Sequence, residues 1–456
     1  MNCYQTSMFS IPIENIKRHF VQLEKIGNLG TFREAGFLRA SWSNEESAAI
    51  AHIKDVGFDY GLRAAYDGVG NLLLTTPGLQ PQVIQIGSHL DTVPHGGNYD
   101  GAAGIVAGLE AIASLKEEWP ALEHRLELVV WRGEESATFG AVCKGSQAAF
   151  GKNDPNILLK KFNAQNLETA IRGQGFDPGF IERGEPSLGQ AHIDSIAAYL
   201  ELHIEQARKL EIDQKDIGVV TSVRGTIRFR IVVVGEAAHS GGTPMGMEYR
   251  KDANLAMAYM QVELDRLAGE ALANREDLVQ TVGVINTDQD FNVYNPSVYE
   301  NALTKVSPYG YFTLDIRSNK LVFLESYAAR AQETIKAVGQ RFNVFVKIEQ
   351  IVFLLPIERM DEGLQKAAVN ACETLRLSYE MMPSGAIHDV AVVATQQRSD
   401  GSTIAGGLIF IPCKDGLSHN PKEYATPEAT QKGALVLAHT AHNIASARLS
   451  SLAYNT

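Results

Sequence analysis

The stretch PQVIQIGSHLDTVPHGGNYDGAAGIVAGLEAIASLKEE, residues 81–118, decides the fold. It begins as a short apolar run that stops at a polar loop, the mark of a buried strand. From Gly101 onward, small and apolar residues recur at helical spacing. A second apolar run, RLELVVWRGEE (125–135), follows and ends in two carboxylates. Strand, loop, helix, strand is the βαβ pattern of an α/β sheet. Ligands in such sheets gather at the carboxyl ends of the strands. Both polar clusters, at 89–100 and at 134–135, fall at such ends.

Outward from this unit, residues 12–60 read as helices with polar faces. From about 223 the texture changes. TIRFRIVVVGEAAHS (226–240) alternates and then thickens, and DANLAMAYMQVELDRLAGE (252–270) is an amphipathic helix. VQTVGVI (279–285) and YGYFTLDIRS (309–318) read as strands, residues 323–342 as a second helix, and residues 344–354 as a last strand. That order suits a compact α+β layer of ferredoxin-like type, closed by Pro356. Its alternation leaves one sheet face free to meet something else. The first style then returns, with a helix at 364–375, a strand at 406–412 and a helix from about Pro427. One domain is therefore inserted into another. The expected boundaries are 1–221 and 355–456 for the outer domain and 222–354 for the insert.

The chain has 456 residues, too many for one ordinary core, and is 45% hydrophobic and 21% charged. A net charge of -12 without a Lys/Arg-rich run argues against nucleic acid as a partner. Cys3, Cys143, Cys372 and Cys413 are widely spaced, which suits reduced thiols in a cytoplasmic protein. No basic leader with an apolar core is visible, and no apolar run approaches a membrane span.

The candidate chemistry lies in seven residues. His89 ends a strand, and Asp91, two residues on, shares its face and can orient the imidazole. Asp100 precedes the apolar helix, where its plain alternative is an N-cap. Of the pair Glu134–Glu135, Glu135 can bind a metal while Glu134 serves as a proton-transfer base, unless one simply faces solvent. His203, in LELHIEQ, could be a core histidine, and His419, in GLSHNPKE, a commonplace loop histidine. Together, however, His89, Asp100, Glu135, His203 and His419 exceed the three protein ligands of one catalytic zinc. They fit two metals sharing one carboxylate, roughly 3.5–4 Å apart. The mixed nitrogen and oxygen set suits Zn²⁺, and also Mn²⁺, Co²⁺ or Ni²⁺. The other histidines, such as His19, His192 and His439, show no partner pattern and read as structural or surface residues.

GSHLDTVPHGGNYDGAAG, EESATFG, ELHIEQ, AAHSGGTPM with Arg250 and Asp252 beyond it, SGAIHD and GLSHNPKE occur in that order. In this the chain resembles the amidase branch of the M20 metallopeptidase superfamily, over roughly residues 80–425. That branch holds N-carbamoyl-L-amino acid hydrolases, allantoate amidohydrolases and β-ureidopropionases. The resemblance implies a catalytic α/β domain of zinc-peptidase type and an inserted lid through which members dimerise. It implies that Asp100 bridges two metals, His89 and His203 completing one position and Glu135 and His419 the other. Glu134 would be the general base and Asp91 would orient His89. His239 would stabilise the oxyanion from the lid, and Arg317 would clamp a substrate carboxylate, a task its planar fork suits. Gln206, His388 and Arg250 fall in family motifs near the site.

The chain departs from the family at one segment. Many members carry an asparagine thirteen residues before the lid arginine, where it touches substrate. Here that position is Thr304, and Asn292 and Asn301 are out of register. Ile387 also stands where a glycine is usual. The expected activity is hydrolysis of the C–N bond of a ureido or N-carbamoyl acid, an N-carbamoyl-L-amino acid first. Allantoate or ureidoglycolate is the alternative, and a dipeptidase or aminoacylase is a weaker one.

Overall fold

The structure, a computed structural model, describes residues 9–30, 35–119, 124–287 and 302–453, with side chains to residue 445. It divides into one unit of Met1–Thr221 with Arg359–Thr456 and a second of Ser222–Glu358.

The first unit is built on an eight-stranded mixed sheet. Its middle is parallel, in the order Arg125–Trp131, Val83–His89, Ile196–Ile204 and Ala405–Ile411. The register sets His89 opposite Trp131 and His203 opposite Phe410, so the carboxyl ends of these strands share one edge. All nine residues of Ile196–Ile204 are buried, as expected of a strand covered on both faces. The helix Ala102–Glu118 lies against this centre, and Ile105, Leu109 and Ile112 share one core with Ile84, Ile86, Leu128, Leu200 and Leu202. Each such side chain contributes roughly 1.5–3 kcal/mol of burial. Close approach is possible because residue 104 is glycine: a Cβ there would lie 2.0 Å from the Leu202 carbonyl oxygen.

The second unit carries strands Gly225–Val234, Val279–Asn286, Tyr309–Ser318 and Phe345–Leu354, with helices Ala253–Ala273 and Leu321–Arg341. Its sheet is antiparallel throughout, with the first strand between the third and the fourth. This is the ferredoxin-like βαββαβ order. Ile227, Phe229, Ile231, Phe312, Leu314 and Ile316 face the helices and form the core. The alternate positions, Arg228, Arg230, Thr313, Asp315 and Arg317, are only partly buried. The unit extends past residue 354 because Val223 and Ile357 exchange both backbone hydrogen bonds, each 2.9 Å, where the chain enters and leaves.

No described helix is long and apolar enough to cross a membrane. Cys143, Cys372 and Cys413 are buried and unpaired. Cys3, Asn292 and Asn301 lie outside the described residues.

Candidate metal centre

Four parallel strands deliver the candidate ligands to one edge of the first unit. His89 is the last residue of its strand and His203 the last but one of the next. Glu134 and Glu135 follow the strand that ends at Trp131, and His419 sits in the loop after Ala405–Ile411. Asp100 stands before the helix Ala102–Glu118 but does not cap it. The cap position is Gly101, at φ +63°, and it makes no side-chain cap bond. The N-cap reading of Asp100 therefore falls. Its Oδ2 accepts instead from Gln206 Nε2 at 2.8 Å and Ser418 Oγ at 2.6 Å.

The ligand atoms form two groups that share Asp100: His89, Asp100 and His203, and Asp100, Glu135 and His419. Within each group the atoms lie within 4.8 Å of one another. Oδ1 of Asp100 is 2.8 Å from His203 Nε2 and 3.6 Å from His89 Nε2. Oδ2 is 3.4 Å from His419 Nε2, which is 3.2 Å from Glu135 Oε1.

The tautomers decide whether these groups suit a cation. A carbonyl only accepts, so His89 Nδ1 donates to the Asp91 carbonyl (3.1 Å) and His203 Nδ1 to that of Ile204 (2.9 Å). In the neutral rings both Nε2 atoms then carry lone pairs. They converge on Asp100 Oδ1, a buried carboxylate oxygen that receives no hydrogen bond from the described residues. Acceptors facing acceptors in a buried place need a cation between them, and imidazole with carboxylate is a donor set for divalent transition metals. The His89, Asp100 and His203 group therefore fits a divalent cation. Without metal, protons fill the gap. Burial lowers the pKa of His89, but Asp100, Asp91 and Glu134 carry it well above the usual range. Asp100 and Glu135 push His419 up to about 11.

Gly101 is needed for His89 to stand where it does. Its φ is left-handed, and a Cβ would lie 2.5 Å from the imidazole. Gln206 and His419 also hold left-handed backbones, at φ +57° and +56°. Such strain in non-glycine residues concentrates at functional sites.

Glu134 lies behind the first group, with Oε2 3.9 Å from His89 Nε2. Its Oε1 accepts from the Cys143 thiol at 3.6 Å. Burial pushes its carboxyl well above the usual range, opposed by His89 and helped by Glu135 and Asp389. Asp91 does more than orient His89. Its two oxygens accept the backbone N–H groups of Glu134 (3.0 Å) and Glu135 (3.1 Å) and so fix the acidic pair. Lys144, fully buried, donates to the carbonyls of Glu135 and Ala141 at 2.8 Å each. The His388 ring lies 4.2 Å from that of His203, tilted by 49°, and its buried Nε2 has no hydrogen-bond partner among the described residues. Burial and the neighbouring His203 hold its pKa well below the usual histidine range.

Sequence reasoning missed Ser418, Glu423, Cys143 and Lys144. The first two flank His419 within GLSHNPKE and were open to notice there. Lys144 carries no such signal in the sequence.

The remaining candidates belong to the second unit. His239 Nδ1 accepts the N–H groups of Gly241 (3.1 Å) and Gly242 (3.0 Å), so the proton of the neutral ring is on Nε2. Thr304 is its neighbour, the Thr304 carbonyl accepting from Ser240 N–H at 2.9 Å. Arg317 Nε donates to Asp315 Oδ1 at 3.0 Å, and Asp315 also receives Arg228. The Arg250 guanidinium donates to the carbonyls of Ser240, Thr243 and Pro244 and so staples the His239 loop.

Residues 85–443 match the family described as peptidase family M20/M25/M40. An N-carbamoyl-L-amino acid amidohydrolase of Geobacillus stearothermophilus is 29% identical, over 94% of this chain and 98% of that protein. An allantoate amidohydrolase of Bacillus subtilis is 30% identical, over 93% and 96%. Among solved structures, a hydantoinase/carbamoylase family amidase from Burkholderia multivorans superposes with a TM-score of 0.80 at 26% identity. The superposition covers 95% of this chain and 97% of that one.

Proposed function

The chain belongs to peptidase family M20/M25/M40, and within it we propose an amidohydrolase that cleaves the terminal C–N bond of an N-carbamoyl-L-amino acid. The observation that carries this reading is Asp100, whose two oxygens face two separate ligand groups. The names of full-length relatives support a carbamoyl or ureido substrate.

Two divalent ions would be held by His89, Asp100 and His203 and by Asp100, Glu135 and His419, zinc being the first choice. When bound, they supply Lewis acidity at a carbonyl and make water easier to deprotonate. The chain does the rest. Glu134 takes a proton from water and returns it to the leaving nitrogen. In the metal-free protein, burial raises the carboxyl well above the usual range, which favours its protonated form once it has taken the proton. Asp91 holds Glu134 and Glu135 through their backbone N–H groups. His239 offers Nε2–H to the developing oxyanion, and Arg317, steadied by Asp315, meets the substrate carboxylate. Loss of ammonia leaves a carbamate on the amino acid nitrogen, which breaks down to carbon dioxide and the free amino acid.

The Ser222–Glu358 unit would act as lid and as dimer surface. The exposed side chains of Val279, Ile285, Phe345 and Phe353 support the second role. Light scattering on the purified protein tests it. Buried, unpaired thiols suit a cytoplasmic protein.

The test of function is ammonia release by metal-reconstituted protein. N-carbamoyl-L-amino acids should be the best substrates, ahead of N-carbamoyl-β-alanine, allantoate and ureidoglycolate. Dipeptides should be inert. Turnover of dipeptides alone would overturn the reading, and a preference for allantoate or ureidoglycolate would move the substrate within it.

A further inference from the structure

Glu423 belongs to neither ligand group, yet it joins the two chain segments that carry Asp100 and His419. It is only 4% exposed. Oε1 accepts the N–H groups of Tyr99 at 2.9 Å and Asp100 at 2.8 Å, and Oε2 accepts that of His419 at 3.3 Å. Gly97 lies against this carboxylate, and a Cβ there would come within 2.3 Å of Oε1.

The two ligand groups differ in what holds them. His89 and His203 end buried strands, and each anchors Nδ1 on a carbonyl. His419 sits in a loop with its side chain half exposed and its backbone left-handed. Its Nε2 faces only Asp100 and Glu135 among the described carboxylates, and its N–H is held by Glu423. The second group is therefore the less preorganised. Its geometry depends on the loop staying docked.

We propose that Glu423 is a positioning residue that latches the His419 loop onto the Asp100 segment and so sets the cation affinity of the Asp100–Glu135–His419 position. The His89–Asp100–His203 position shares Asp100 but keeps the Nδ1 anchors of both its histidines, so it depends on the latch less. Ser418 Oγ, bonded to Asp100 Oδ2 at 2.6 Å, is a second tie between the same segments. Loss of Glu423 therefore loosens the loop without releasing it. The proposal rests on the two-ion reading above.

The experiment is a Zn²⁺ titration of metal-free protein by calorimetry, with elemental analysis of the loaded forms. Wild type takes up two ions with separable affinities. Glu423→Gln keeps the shape but sets an NH₂ against a backbone N–H. It weakens one ion about 10–100-fold, the range for outer partners of metal ligands, and the other markedly less. Gly97→Ala, which displaces the carboxylate without altering it, reproduces that asymmetry. Two unchanged affinities in Glu423→Gln would overturn the proposal. So would equal weakening of both ions with a lowered melting temperature of the metal-free protein, which is the signature of a general structural role. Uptake of a single ion by wild type would instead remove the two-ion reading, and the latch with it.

Discussion

Asp100 Oδ1 lies 2.8 Å from His203 Nε2, although neither atom carries a proton when the histidine is neutral. The pair is stable only with a cation or an added proton between them, and His203→Ala removes half of it. The variant should lose about one ion per chain by elemental analysis, and its turnover should fall at least 100-fold. Unchanged metal stoichiometry would take His203 out of the ligand set.

Glu134→Gln keeps the shape of the side chain and both ligand groups, since Glu134 is in neither. Metal content should equal that of wild type, while kcat drops by about 10²–10⁴. Steady-state kinetics on the loaded variant decides this. Near-normal turnover would assign the proton transfer elsewhere.

Gly101→Ala places a Cβ 2.5 Å from the His89 ring on a backbone at φ +63°. The strain and the clash should cost about 1–3 kcal/mol in urea unfolding of the metal-free protein. Metal affinity should fall with it, because His89 must turn away. An unperturbed variant would mean that the loop repacks without cost.

Metal and protons compete for the same nitrogens. Asp100 and Glu135 push His419 up to about 11, and Asp100 outweighs burial to raise His203 as well. A raised imidazole pKa stabilises the metal-free fold fully below about 6.5, the unfolded value, and that stabilisation is lost as pH rises towards the folded one. Metal affinity runs the other way and tightens from pH 6 to pH 8, with protons released on uptake. Calorimetry in buffers of different ionisation enthalpy measures those protons. Uptake without proton release would show the histidines to be neutral already.

His89 and His203 were legible because each sits where a buried apolar run gives way to a polar stretch, at QIGSH and at LELHI. The ferredoxin-like order of the insert was legible from its change of period. Glu423 was not, because it acts on backbone N–H groups, which every residue possesses. Asp100 was half legible. An acidic residue ahead of a helix resembles a cap until Gly101 turns the chain and points the carboxylate at His203. Lys144 was not legible, since its ammonium is buried among carbonyls that only the fold brings together.

The central claim is a pair of cations bridged by Asp100 at the ends of four parallel strands. Anomalous diffraction from crystals of Zn²⁺-loaded protein tests it most directly. Two peaks roughly 3.5–4 Å apart, with one Asp100 oxygen on each, are the expected result. A single peak, or a pair that leaves Asp100 untouched, would contradict the account.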